Sequence, residues 1–159
     1  MPRFLSFLFV FLFAVSSLSY SQQSNNSISA EDSIKVVINN FFAGMKNADS
    51  TLVRSTLSES ILFNTILADV AGNARKCDQE SVANFLVSIT KYPAGQLDEQ
   101  IVYETIKIDQ MLATVWTPYK FYFKGNFSHC GVNCFQLLRY KEGWKIQNII
   151  DTRRRQPCQ

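Results

Sequence analysis

The chain is poor in the residues that build reactive centres. One histidine, His129, serves all 159 residues, and the four cysteines, Cys77, Cys130, Cys134 and Cys158, include no C-x-x-C pair. A structural zinc needs four converging nitrogen or sulfur ligands, usually drawn from two paired clusters. The spacing H-C-x-x-x-C over 129–134 supplies one cluster without a second, so we expect no metal and no cofactor. His129 and Cys130 do not suit a cysteine-histidine nucleophile either, because neighbours on a strand point to opposite faces. A strong excess of one charge is missing: 16 basic against 13 acidic side chains leave a net charge of +3. The basic face that nucleic acid demands is therefore absent, and the three arginines at 153–155 read as a solvated tail. No internal repeat or low-complexity segment interrupts the chain.

What is present begins with a compartment signal. Arg3 precedes the uncharged run "FLSFLFVFLFAV", and small side chains follow at Ser19 and Ser21. A basic start, an apolar stretch and small residues two apart make a secretory signal over 1–21. The apolar run is too short for a membrane span, which takes about 20 residues. We expect an exported protein, periplasmic or extracellular, with a flexible polar leader at 22–30, one domain over 31–155 and a tail at 156–159. Export makes disulfides chemically accessible. On one extended strand Cys130 and Cys134 lie roughly 13 Å apart, too far to bridge, so any intramolecular disulfide should use Cys77 or Cys158.

Within the domain, Ile34, Val37, Ile38, Phe41, Phe42 and Met45 recur at helical spacing over 31–48. A short second helix through "TLVRSTL" is capped by Asp49 or Ser50. "ILFNTILADV" reads as a strand turning at Gly72 and Asn73, and Asp78 precedes a third helix in "QESVANFLVSI". After Pro93 and Gly95 come four long strands: "EQIVYETIKI", "MLATVWTPYKFYF", "FSHCGVNCFQLLRY" and "WKIQNIIDT". Pro118 cannot donate a ladder hydrogen bond and should mark a bulge or an edge. The order predicts an α+β fold in which a curved antiparallel sheet wraps around N-terminal helices.

Several of these residues carry a resemblance. The "MKNADSTLVRSTLS" connection, Trp116, Pro118 and Tyr119, the run from His129 to Asn133, and Gly143, Trp144, Asp151, Thr152 and Arg153 resemble the nuclear-transport-factor-two-like superfamily, in particular its small exported bacterial members labelled lumazine-binding-like or SnoaL-like. Cys134 stands where such members carry a small residue such as alanine, and the "RQPCQ" tail lies outside their pattern. The resemblance implies a cone-shaped, cystatin-like α+β roll enclosing an open pocket, commonly as a homodimer.

Strand parity then nominates the pocket wall. In the last strand Trp144, Ile146, Asn148, Ile150 and Thr152 share one face, which we take as the inner one, with Asn148 as its polar group. In the strand before it, His129, Asn133, Phe135 and Leu137 face inward, and Val132 and Leu138 lie on an outer face with Tyr122. That outer face is too apolar for water and should pair two copies through the sheet. Tyr119 and Phe121 face inward, and a bulge at Pro118 would bring in Trp116. The candidate ligand-binding set is therefore Trp116, Tyr119, Phe121, His129, Asn133 and Asn148. Two functions fit it. The first is an exported binding protein for a small molecule or peptide, without turnover. The second is a proton-transfer enzyme of isomerase, cyclase or dehydratase type, using His129 with Tyr119 or a carboxylate such as Asp69 or Asp151.

Overall fold

A computed structural model describes residues 28–77 and 81–158. The expected signal segment and most of the leader lie outside the described residues. Helix α1 (Ala30–Lys46) starts where Ser29 accepts a hydrogen bond from the Asp32 amide at 3.0 Å, with Glu31 and Asp32 at the positive end of the helix. Asp49 caps α2 (Ser50–Thr56) by accepting from the Leu52 amide at 2.8 Å. Strand β1 (Leu57–Ala68) follows without a loop and makes a short hairpin with β2 (Ala74–Lys76). Ser81 caps α3 (Val82–Thr90); the start expected at Asp78 lies outside the described residues. The remaining strands are β3 (Leu97–Ile101), β4 (Thr105–Asp109), β5 (Leu112–Phe123), β6 (Asn126–Tyr140) and β7 (Gly143–Thr152).

The strands form one curved sheet in the order β2-β1-β7-β6-β5-β3, with β4 continuing beside β5. The α+β roll is as expected, but the sheet is mixed, not wholly antiparallel, because β1 runs parallel to β7. Parallel pairing needs a long crossover, and here the entire segment from β2 to β6 supplies it.

Two irregularities set which side chains face the helices. The strand expected over 99–108 breaks into β3 and β4, and Val102 and Glu104 donate to the carbonyls of Pro118 and Trp116 at 3.0 and 3.1 Å. In an antiparallel ladder a residue's N–H and C=O point to the same neighbour. Pro118 therefore offers this side a carbonyl and no donor, and the partner strand bulges there. The bulge falls on the partner, so β5 keeps its parity: Ala113, Val115, Thr117 and Tyr119 are all buried. The second irregularity lies in β7, where Gln136 pairs with Asn148 but Leu137 pairs with Ile146. Gln147 is the extra residue, and beyond it the faces exchange. Trp144 and Ile146 point inward as expected, whereas further along Ile149 and Asp151 are the buried residues and Ile150 is exposed.

The core lies between the inner sheet face and the helices. Ile34, Ile38 and Phe41 of α1 meet Val115, Phe135, Leu137 and Ile146 of the sheet, all nearly excluded from solvent. Gly44 lets α2 approach α1 closely, since a Cβ there would stand 2.6 Å from Val53 Cγ2. At the end of the chain, Cys130 and Arg154 exchange backbone hydrogen bonds of 2.8 and 2.9 Å, and a disulfide joins Cys130 to Cys158. Cys77 and Cys134 are free thiols.

Candidate functional site

Helices α1 and α3 do not cover the whole inner face of the sheet, and a cleft remains between them and β1, β3, β5, β6 and β7. Its inner lobe, about 80 Å³, is walled on the helix side by Phe41, Phe42, Met45 and Phe85. An adjoining outer lobe of about 240 Å³ shares Phe63, Phe85, Ile149, Asp151 and Arg153 and reaches Thr65 and Cys77. The aromatic walls brace each other: Phe41 stacks on Phe85 at 5.9 Å, and Phe42 meets Phe135 edge-on at 6.0 Å. A wider hollow of about 590 Å³ lies at the β5–β6 turn against Arg155 and Gln156. It is rimmed by exposed residues such as Phe127, and a buried polar group is lacking among its described walls. The cleft is the better site on chemical grounds.

Polar groups enter the inner lobe of the cleft on four strands, with Asn133 supplied by β6. From β7, Asp151 accepts from Thr65 Oγ1 at 2.6 Å and from Arg153 Nε at 2.8 Å. Arg153 also reaches Thr65 through its terminal nitrogen at 3.2 Å. From β5, the Tyr119 hydroxyl donates to the carbonyl of Thr152 at 2.9 Å and lies 3.4 Å from Asp151. From β3, Glu99 accepts from Asn133 Nδ2 at 2.7 Å, the one side-chain hydrogen bond it makes among the described residues. Burial pushes the Glu99 carboxyl up to about 7 and the negative charge of Asp151 adds to this, against the Asn133 amide and Arg153. Burial likewise holds the Tyr119 phenol far above its ordinary value, with Asp151 and Glu99 adding to the effect.

The expected site residues divide. Tyr119 and Asn133 line the inner lobe. His129 and Phe121 share the inner face, with ring centroids 5.0 Å apart, but neither lines the cleft. Gly131 lies between His129 and Asn133 on β6, and the space that a side chain would take there is filled by the Thr152 carbonyl with the Tyr119 ring beside it, held together by the Tyr119 hydroxyl donating to that carbonyl. Tyr119 therefore stands between His129 and the cleft, 5.8 Å from the imidazole. His129 Nδ1 is 3.0 Å from Ser128 Oγ, and burial lowers its pKa, helped by Arg153 and Arg155 against Asp151. Two placements are corrected. Trp116 lies on the outer face, 45% exposed, because the bulge at Pro118 falls on the partner strand. Asn148 also faces outward, where its amide donates to Gln136 at 3.2 Å, because the bulge at Gln147 exchanges the faces of β7.

Sequence reasoning passed over Glu99, read Arg153 as part of a solvated tail, whereas it pairs with Asp151 at the cleft, and left the facing of Asp151 open. Glu99 was within reach of the same parity argument, since Leu97, Glu99 and Ile101 alternate and a carboxylate between two apolar residues on one strand face is unusual. Asp151 and Arg153 depend on the β7 bulge. Among the described residues, no three His, Cys, Asp or Glu side chains are grouped to hold a metal ion. No helix among them is long and apolar enough to cross a membrane.

No protein-family model and no curated protein matches the chain. Solved structures do. A nuclear-transport-factor-two-like protein of unknown function from Shewanella baltica superposes with a TM-score of 0.58 at 17% identity, over 79% of this chain and 94% of its own. One from Shewanella oneidensis gives 0.60 at 13% identity, over 78% and 99%. A domain of cystatin-like fold from Nostoc punctiforme gives 0.62 at 15% identity, over 82% and 80%. At such identities the likeness is one of fold.

Proposed function

From a nuclear-transport-factor-two-like fold with a phenylalanine-walled cleft, we propose that the protein is an exported binding protein that holds a small molecule without turning it over. Glu99 carries this reading. A half-buried carboxylate against aromatic walls with a single amide partner is costly to keep ionised, and a ligand that satisfies it would recover that cost on binding. A cleft that is mostly apolar with few converging polar groups is the usual form of a small-molecule site. Catalysis next to a carbonyl would also need a free donor for the developing oxyanion. Tyr119 already donates to Thr152 and Asn133 to Glu99, which favours retention over turnover. The export signal over 1–21 and the Cys130–Cys158 pair both suit an oxidising compartment. Trp116, Pro118, Tyr119 and the run at 129–133 support a place among the lumazine-binding-like and SnoaL-like members. The outer sheet face, with Leu112, Trp116 and Ile150 exposed, supports pairing of two copies.

Proton transfer is the second reading, favoured by a Glu99 carboxyl that titrates at about 7, where a general base works best. A native mass spectrum of the protein from its own host separates the two. We expect twice the subunit mass with one small molecule retained per subunit, and the same molecule, held more weakly, in Glu99→Gln. A bare monomer would overturn both the ligand and the dimer. A different retained mass in the variant would mark an unconverted substrate and favour turnover.

Glu99 also ties stability to pH. Its folded pKa, about 7, is raised above its ordinary value of 4.5, so the folded state binds the extra proton. The stabilising contribution is complete below about pH 4.5 and is lost as pH rises through about 7. Between pH 5 and 8 the parent should lose on the order of 2 kcal/mol relative to Glu99→Gln, read from urea denaturation of both proteins at each pH. Parallel profiles would show that the cleft does not raise the Glu99 carboxyl.

A further inference from the structure

We propose that the occupant of the cleft is an organic cation, an aliphatic amine or ammonium ion with an apolar body, whose charge is met by Glu99. The proposal rests on the binding reading above and adds the chemistry of the ligand.

The charges that reach the cleft do not balance. Two carboxylates and one guanidinium reach the cleft. Arg153 is committed to Asp151 at 2.8 Å, and Asp151 fills its other oxygen with Thr65 at 2.6 Å. That pair is closed. Around Glu99, β6 contributes the neutral Asn133 amide and β5 the neutral Tyr119 phenol. Helix α1 packs against β3, but its Lys46 ammonium sits 3.0 Å from Asp98. His129, behind Tyr119, is held toward its neutral form by burial and by Arg153 and Arg155. Ionised Glu99 therefore has no counter-ion of its own among the described residues.

Each ligand class meets this arrangement differently. An anion would enter a cleft whose net charge is already negative. A neutral molecule would take further water from a half-buried carboxylate and leave it unpaired, at the desolvation cost that makes half-pairs unfavourable. A cation completes the pair. The walls favour it as well, because aromatic rings attract ammonium groups through their quadrupoles, and Phe41, Phe42, Phe85 and Phe135 surround the inner lobe. At about 80 Å³ that lobe accommodates an ammonium head and little more, and the outer lobe of about 240 Å³ takes the body.

Calorimetric titration of the full protein with 2-phenylethylamine, 2-phenylethanol and 3-phenylpropanoate tests this. At pH 8 the amine should bind at least tenfold more tightly than the alcohol, and the carboxylate more weakly than either. Lowering the pH to 6 should weaken the amine about tenfold, as Glu99 takes up its proton while the ligand stays charged, and leave the alcohol unaffected. Glu99→Gln, its folding checked by circular dichroism, should abolish the preference for the amine over the alcohol. Should that variant fail to fold, the pH series on the parent decides alone. An alcohol bound as tightly as the amine at pH 8 would overturn the cationic ligand and leave the binding reading standing. So would an amine preference that persists in Glu99→Gln or does not change with pH. No binding of any of the three at millimolar concentration would overturn both.

Discussion

Phe135→Ala is expected to destabilise the protein by roughly 3 to 5 kcal/mol, the range for truncating a large buried aromatic residue. Phe135 is fully buried at the middle of β6, and its ring meets Phe41 at 6.4 Å and Phe42 at 6.0 Å, both edge to face. Truncation removes the transfer energy of the ring and leaves a hole beside a cleft that is already open. The helix that would have to collapse into the hole is fixed at its N-terminus by the Ser29 cap and packed against α2 at Gly44, so relaxation should be slight. Urea denaturation of parent and variant measures the loss. A loss below about 1 kcal/mol would mean that Phe135 does not join sheet to helix as described. Because the same ring walls the inner lobe, Phe135→Leu is the milder companion, keeping more of the volume while removing the aromatic face.

Gly131→Ala should also be damaging, by about 3 kcal/mol, the upper end of the ordinary overpacking range, for the opposite reason. A Cβ at this position would stand 1.7 Å from the Thr152 carbonyl oxygen and 2.9 Å from the Tyr119 ring. The first contact is with backbone and cannot be relieved by a rotamer change. Either β6 moves away from the end of β7, or the strand end gives way, and overpacking of this severity belongs with the large-effect class of mutations. The disulfide at the neighbouring Cys130 and its backbone pair with Arg154 hold the two segments together, which limits the escape. The change also reaches the site, since Thr152 O accepts the Tyr119 hydroxyl and the residues on either side of Thr152 are Asp151 and Arg153. Gly131→Ala should accordingly lower the melting temperature and weaken ligand retention together. A variant as stable as the parent would show that the close approach of β6 to Thr152 does not exist.

The sequence by itself determined the elements and most of the core. Periodicity located α1, and with it Ile34, Ile38 and Phe41, because a helix that buries one face must repeat its apolar residues every three to four positions. Alternation located β5 and β6 and set Asn133, Phe135 and Leu137 on one face, since neither strand slips register along those residues. Strand length alone kept Cys130 from Cys134. All of these are local rules, in which the chain within a few residues decides the outcome.

Tertiary structure decided the site. Alternation along β7 holds until Gln147, where one extra residue exchanges the faces, turns Asn148 out and brings Asp151 in. No local signal marks that bulge, because it is set by how β6 and β7 match over their whole length. Trp116 stayed outside because the defect caused by Pro118 was absorbed by the neighbouring strand, an outcome decided between two strands, not within one. Glu99 became the principal group of the cleft only when β3 was laid along β5 and brought within 2.7 Å of Asn133, a residue 34 positions away. Parity can say that a carboxylate points inward. Whether a cation waits there to meet it depends on every element that packs around it.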